Sequence, residues 1–230
     1  TAICIAKFSA AFDDMNVDQL FETIPNFHNL NYRYQQFEDA LQSNVAERKA
    51  KAHVITEDLI SRNKYKKMYD EIANYADFPQ RVVHHDAKIS NVLFSKKTGK
   101  VICPVDLDTT MPGYFFSDPG DLIRSMACSA DENSIDFKNL HIRKEYYQAI
   151  TDGYYAVMEK SFTTAEKKHF HCSGLLIIYM QALRFITDYL NGDIYYKTKY
   201  AEHNFDRAMN QLCLLKSLEN FLEKEYRFSC

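Results

Sequence analysis

Between residues 81 and 94 the chain reads Arg81-Val82-Val83-His84-His85-Asp86-Ala87-Lys88-Ile89-Ser90-Asn91-Val92-Leu93-Phe94. The spacing His-x-Asp-x-x-x-x-Asn sets a carboxylate and a carboxamide on one short connection between two β-branched stretches. Composition predicts far fewer than one such triple by chance. A second short stretch, Val101-Ile102-Cys103, follows Ser95-Lys96-Lys97-Thr98-Gly99-Lys100, a hairpin turn in which Gly99 supplies backbone freedom. Such a ribbon returns Asp106 beside Asn91. An amide oxygen and a carboxylate then face one spot, a donor set suited to a hard cation such as Mg²⁺. Asp86, on the loop ahead of the ribbon, is left to accept a proton from a substrate hydroxyl. Lys88 can point its charge at a phosphoryl group in transfer. One carboxylate on the nucleophile, with an Asn and a second Asp holding metal on nucleotide phosphates, is the chemistry of phosphoryl transfer.

Other polar residues have ordinary roles to weigh. His85-Asp86 could be the pair of a metal-dependent phosphohydrolase, but that pair belongs on a helix, and the valine-rich flanks argue against one. His169 and His171 are two apart, and on a helix such side chains diverge. Asp118 and Asp121 suit structure before substrate: one to cap a helix beginning near Leu122, the other to brace the catalytic loop by accepting its amides. Lys64, Lys66 and Lys67 read as a solvated helix face.

The elements that must position these groups are mostly helical. Apolar residues recur at helical spacing over 2–15 and 17–24, from Asn31 to Val45, and from Thr56, a good helix start, to Tyr75. After Gly120 helices are expected over about 121–130, 137–160, 165–190 and 203–224. The plan is one mostly helical domain, 1–230, of α+β class, with a small β-hairpin patch where the polar residues gather. Hydrophobic residues make up 46% of the 230, with 16 Tyr and 16 Phe, ample for a core. A net charge of −3 leaves no footprint for nucleic acid, and no apolar run reaches the length of a membrane span. Six dispersed cysteines without a Cys-x-x-Cys pair fit a reducing, cytoplasmic setting.

These motifs, with Val105-Asp106-Leu107-Asp108 and Asp118-Pro119-Gly120-Asp121-Leu122-Ile123-Arg124, resemble the aminoglycoside phosphotransferase family, relatives of protein kinases. Within it the chain is most similar to the N-acetylhexosamine 1-kinases. Further matching blocks are Pro25-Asn26-Phe27-His28-Asn29 and the stretch from Ala182 to Asp193. The resemblance implies the C-terminal lobe of a kinase-like fold, ATP as co-substrate, Mg²⁺ and a small-molecule sugar acceptor. It implies Asp86 as base and Asn91 with Asp106 as metal ligands, with Asp108 beside substrate or metal. Arg184 and Tyr195 would touch the sugar, against the plainer roles of a core ion pair and a core cover. His84 would hold the loop by hydrogen bonds.

The sequence departs from the family in having His85 where Gly is usual and Pro119 where a bulky apolar residue is common. Nothing before residue 80 reads as a sheet, a glycine-rich loop or a strand-borne Lys, and Thr1 reads as a helix entered partway. The nucleotide-binding lobe is therefore expected to be absent. The alternatives are a kinase of another small acceptor, such as an aminoglycoside or choline-like alcohol, and a non-catalytic remnant that binds sugar or protein.

Overall fold

The computed structural model describes residues 1–42 and 46–229, so Val45, the expected end of one helix, lies outside the described residues. The chain forms two compact units. The first comprises residues 1–28, 72–128 and 143–177, and the second 29–71, 129–142 and 178–230.

In the first unit, helix α1 (Ala2–Ala10) turns Ala2, Ile5, Ala6 and Ser9 inward, one face at helical spacing, and packs on helix α6 (Lys144–Met158). The helix expected to reach residue 15 stops early. Asp13 instead binds Arg81 and Ser161, and the side chain of Asn16 accepts from the Asp18 amide to start a short 3₁₀ turn, Val17–Gln19. Strand β1 (Arg81–Val83) is anchored where Arg81 donates two hydrogen bonds, of 2.9 and 2.8 Å, to the buried carboxylate of Glu166. Strands β2 (Val92–Phe94) and β3 (Val101–Pro104) form the ribbon read from the sequence.

A fourth strand, β4 (Met111–Gly113), was not expected; it pairs antiparallel with β1, Arg81 opposite Gly113 and Val83 opposite Met111. Gly113 is required by close approach. A Cβ there would stand 2.5 Å from both His85 Cε1 and Val83 Cγ2. Gly113→Ala should therefore destabilise the protein by about 1–3 kcal/mol through overpacking, read as a lower urea midpoint at unchanged slope.

The helix placed near 121–130 begins earlier, as α5 (Ser117–Leu122), and widens into a π turn over Ile123–Ala127. Asp118 and Asp121 lie inside it, so neither caps a helix starting at Leu122. The stretch 165–190 is two helices, α7 (Thr164–His169) and α8 (Cys172–Leu190), parted where Phe170 packs against Tyr154, Tyr155 and Phe162.

The second unit holds α2 (Leu30–Leu41), α3 (Ala46–Ser61), most of α4 (Lys64–Asn74) and α9 (His203–Tyr226), with Phe37, Ile55, Leu59, Leu215 and Leu218 in its core. Thr56 does not start a helix. It is buried in mid-α3, where its hydroxyl donates to the His53 carbonyl. Residues 137–143 are not helical: Asp131, Ser134 and Asp136 tie up nearby backbone and side-chain donors in local turns.

Candidate active site

The site is built at the exit of β1. His84 is buried and reaches across the loop: its Nε2–H donates to the Val105 carbonyl at 2.9 Å, and Nδ1 accepts from the Asp86 amide at 3.4 Å. Thr109 donates its hydroxyl to the His84 carbonyl at 2.6 Å. His85 follows with φ +66°, a left-handed backbone that L residues other than Gly seldom adopt. Both amides are received by one carboxylate. Asp118, fully buried on α5, accepts from His84 N at 3.0 Å and from His85 N at 2.8 Å, with Ser9 Oγ a third donor at 3.2 Å. Burial pushes the Asp118 carboxyl above its ordinary range, and the two amides pull it back.

This frame presents Asp86, half-buried. Its Oδ2 accepts from Lys88 Nζ at 2.7 Å and from Asn91 Nδ2 at 2.8 Å, while the same Nδ2 also donates to the Asp86 carbonyl at 2.9 Å. Among the described residues no donor is bonded to Oδ1. Asn91 thus turns its nitrogen toward Asp86, and its Oδ1 accepts from Ser90 Oγ at 3.5 Å.

The Val105 amide donates to the Asn91 carbonyl at 2.9 Å, so Asp106 stands one residue beyond a cross-link to Asn91. Asp106 is exposed, left-handed at φ +62°, and without a hydrogen bond to its carboxylate among the described residues. Asp108 is also exposed; its carbonyl accepts from Thr23 Oγ1 at 2.8 Å. Asp121 is buried, bonded through Oδ1 to Arg124 Nε at 2.8 Å, with Oδ2 unpartnered among the described residues. Its carboxyl is pushed up by burial first; Arg124 opposes that and the charge on Asp86 adds to it.

Arg184 and Tyr195 belong to the second unit. There the guanidinium lies 5.9 Å from the Tyr195 ring centre and 5.6 Å from that of Tyr196, and both residues line a pocket of about 160 Å³ with Arg33, Gln36 and Asp188. Tyr195 is 64% exposed and so does not cover the core. Asp188 accepts from the Tyr195 and Tyr196 amides, at 2.8 and 2.9 Å, and fixes that loop.

His169 and His171 diverge, the one bonded to the Ala165 carbonyl and the other to the Tyr147 hydroxyl. Among the described residues no three His, Cys, Asp or Glu side chains gather as a metal cluster, and no helix is long and apolar enough to cross a membrane.

Three residues around His85 escaped the sequence reading as a group: His28, Ser117 and Gly113. The block Pro25–Asn29 was visible, but no spacing rule joins His28 to residues nearly sixty positions on. Burial holds the His85 imidazole down, to about 4, against a weaker opposing bond to the Pro112 carbonyl; His84 adds to the depression. His28 and the amide-binding Asp118 also face this residue. The unfolded chain would take up a proton here near pH 6.5 and the folded chain only near 4, so this stabilisation is complete above about 6.5 and is lost as pH falls toward 4. It amounts to about 3 kcal/mol. In His85→Asn the stability difference between pH 7 and pH 4, from urea denaturation, should shrink by about that amount.

Asp86 is thus ion-paired with Lys88 and hydrogen-bonded by Asn91, with the exposed Asp106 carboxylate on the neighbouring ribbon. The family model of the phosphotransferase enzyme family matches residues 7–154, more than half of the chain, and the protein belongs to that family. By class it is a kinase-type phosphotransferase of small molecules with a nucleotide donor. The match spans Asp86, Asn91, Asp106, Asp118 and Asp121 and ends before Arg184 and Tyr195.

Proposed function

We propose that the protein is the C-terminal, catalytic lobe of a kinase-like enzyme that transfers the γ-phosphoryl group of ATP to a sugar hydroxyl, the acceptor being an N-acetylhexosamine phosphorylated at its anomeric position. The observation that carries this reading is the Asp86 carboxylate. One oxygen is fixed by Lys88 and Asn91, and the other is open to a hydroxyl proton. Asp86 orients the attacking hydroxyl through Oδ1 and takes its proton as the oxygen attacks phosphorus. Lys88 partly neutralises the base and lends positive charge to the phosphoryl oxygens.

Asn91 and Asp106 would hold Mg²⁺. The fit rests on two open oxygen donors: the amide oxygen of Asn91, whose nitrogen is committed to Asp86, and the exposed carboxylate of Asp106. The ion supplies charge neutralisation on the nucleotide phosphates. His84, Asp118 and Asp121 act as support, Asp108 borders substrate or metal, and Arg184 with Tyr195 contacts the sugar.

The test is phosphorus NMR of the protein with ATP, Mg²⁺ and, in turn, N-acetylglucosamine, N-acetylgalactosamine, choline and an aminoglycoside. A sugar 1-phosphate signal is the expected product. Transfer to another acceptor alone would remove the hexosamine assignment. Calorimetric binding of sugar without nucleotide binding or transfer would instead favour the non-catalytic reading or a lobe acting apart from its nucleotide-binding partner.

A further inference from the structure

The chemistry above gives His28 no task, yet its ring is built into the back of the catalytic loop. His28 Nδ1 lies 2.7 Å from Ser117 Oγ, Ser117 Oγ lies 2.8 Å from His85 Nδ1, and the two ring nitrogens are 3.1 Å apart. His85 Nε2 lies 3.3 Å from the Pro112 carbonyl. Proton accounting assigns the direction of each bond. A carbonyl only accepts, so His85 carries its hydrogen on Nε2. A buried imidazole of depressed basicity holds no second proton, so Nδ1 is bare. Ser117 gives its single hydrogen to that nitrogen. Its oxygen then receives Nδ1–H of His28, since any other assignment sets two lone pairs against each other within hydrogen-bond distance.

The ring at the end of this chain belongs to the residue whose backbone aims Asp86. A left-handed non-glycine residue is strained and persists only where its surroundings over-determine it. Here they do: the amide is held by Asp118 and the ring by Ser117 and the Pro112 carbonyl, in space that Gly113 leaves open.

We propose that His28, Ser117 and His85 form a directional hydrogen-bond relay that locks one tautomer and one backbone conformation of His85, making His85 a positioning residue for the Asp86 carboxylate. The relay stands on its own geometry, while the positioning role rests on the reading of Asp86 as the base.

Two measurements test it. Long-range proton–nitrogen NMR of the whole protein should show His85 as the neutral Nε2–H tautomer at pH 7. In the double variant His28→Phe/Ser117→Ala, which removes both donors within reach of His85 Nδ1, the Nδ1 resonance should shift toward that of an unbonded ring nitrogen. In His85→Gly, which accepts φ +66° without strain, amide exchange at Asp86 and Asn91 should quicken by about tenfold. The kcat should fall by about 10-fold to 100-fold with KM for nucleotide and acceptor little changed. His85→Asn tolerates the same backbone and offers Oδ1 to Ser117, so it should restore most of the turnover.

A proton on Nδ1, or titration near the ordinary histidine value, would overturn the relay. Unchanged exchange and turnover in His85→Gly would overturn the positioning role. If the wild-type protein transfers phosphate to none of the acceptors tried, the proposed function is what fails, and the NMR and exchange data still decide the relay.

Discussion

Asp86→Asn should lower kcat by about 10²–10⁴-fold with whichever acceptor supports turnover, while KM for acceptor and nucleotide stays within a few-fold. The size of the loss follows from how the two carboxylate oxygens are used. Oδ2 receives Lys88 and Asn91, and an asparagine can turn its one oxygen to the same two donors. The nitrogen then occupies the place of Oδ1. A donor faces the acceptor hydroxyl where an acceptor is needed, so the fold survives and proton removal does not. Asp86→Ala is a poorer probe, because it leaves the Lys88 ammonium and the Asn91 amide without their shared oxygen. Steady-state ADP release gives the measurement, and turnover near the wild-type rate in Asp86→Asn would sink the assignment of the base.

Asp118→Ala should cost about 3–5 kcal/mol of stability, a large fraction of the 5–15 kcal/mol usual for a domain. The carboxylate is the common acceptor for the His84 and His85 amides and the Ser9 hydroxyl. Each donor left buried and unmatched costs about 1–3 kcal/mol. Asp118→Asn should fall between, since one oxygen is retained and an N–H₂ is set against an amide N–H. Urea unfolding reads the difference. Hydrogen exchange at His84 and His85 localises it, because a global loss alone would not expose those two amides ahead of the rest. An unfolding midpoint equal to wild type in Asp118→Ala would show that water or a rearranged loop replaces the carboxylate.

How much of this was legible in the sequence depends on where each signal was stored. The β2–β3 ribbon was readable because β-branched residues flank a turn whose Gly99 takes φ +66°. Its partner sheet was not. Met111-Pro112-Gly113 carries two residues that weaken a strand, and it is tolerated because a two-stranded sheet leaves one edge of β4 unpaired. The start of α5 is hidden in the sequence for a related reason. Pro119-Gly120 looks like a helix stop, but a proline in the first turn lacks only an amide hydrogen that would have found no partner.

Thr56 gave a true local signal that burial overrode, since α3 needs that position on its inner face. At the candidate site, Asp86, Lys88 and Asn91 lie within six residues, and local spacing was enough to group them. His28 and Ser117 reach His85 from other elements of the first unit, and only the folded chain reveals that meeting. The left-handed backbone of His85 explains the glycine usual at that position in the family: glycine takes the conformation without strain but has no side chain to hold it, whereas here a bulky residue is held there by its ring contacts.

The imidazole of His84 bonds the peptide entering Asp86 at one end and the carbonyl preceding Asp106 at the other. Asp86 and Asp106 therefore hang on one imidazole, the first by its own amide and the second by the carbonyl of the residue before it. The solvent-exposed tip at Lys96–Gly99 lies at the far end of the β2–β3 ribbon from this link, so neither carboxylate takes its place from the turn.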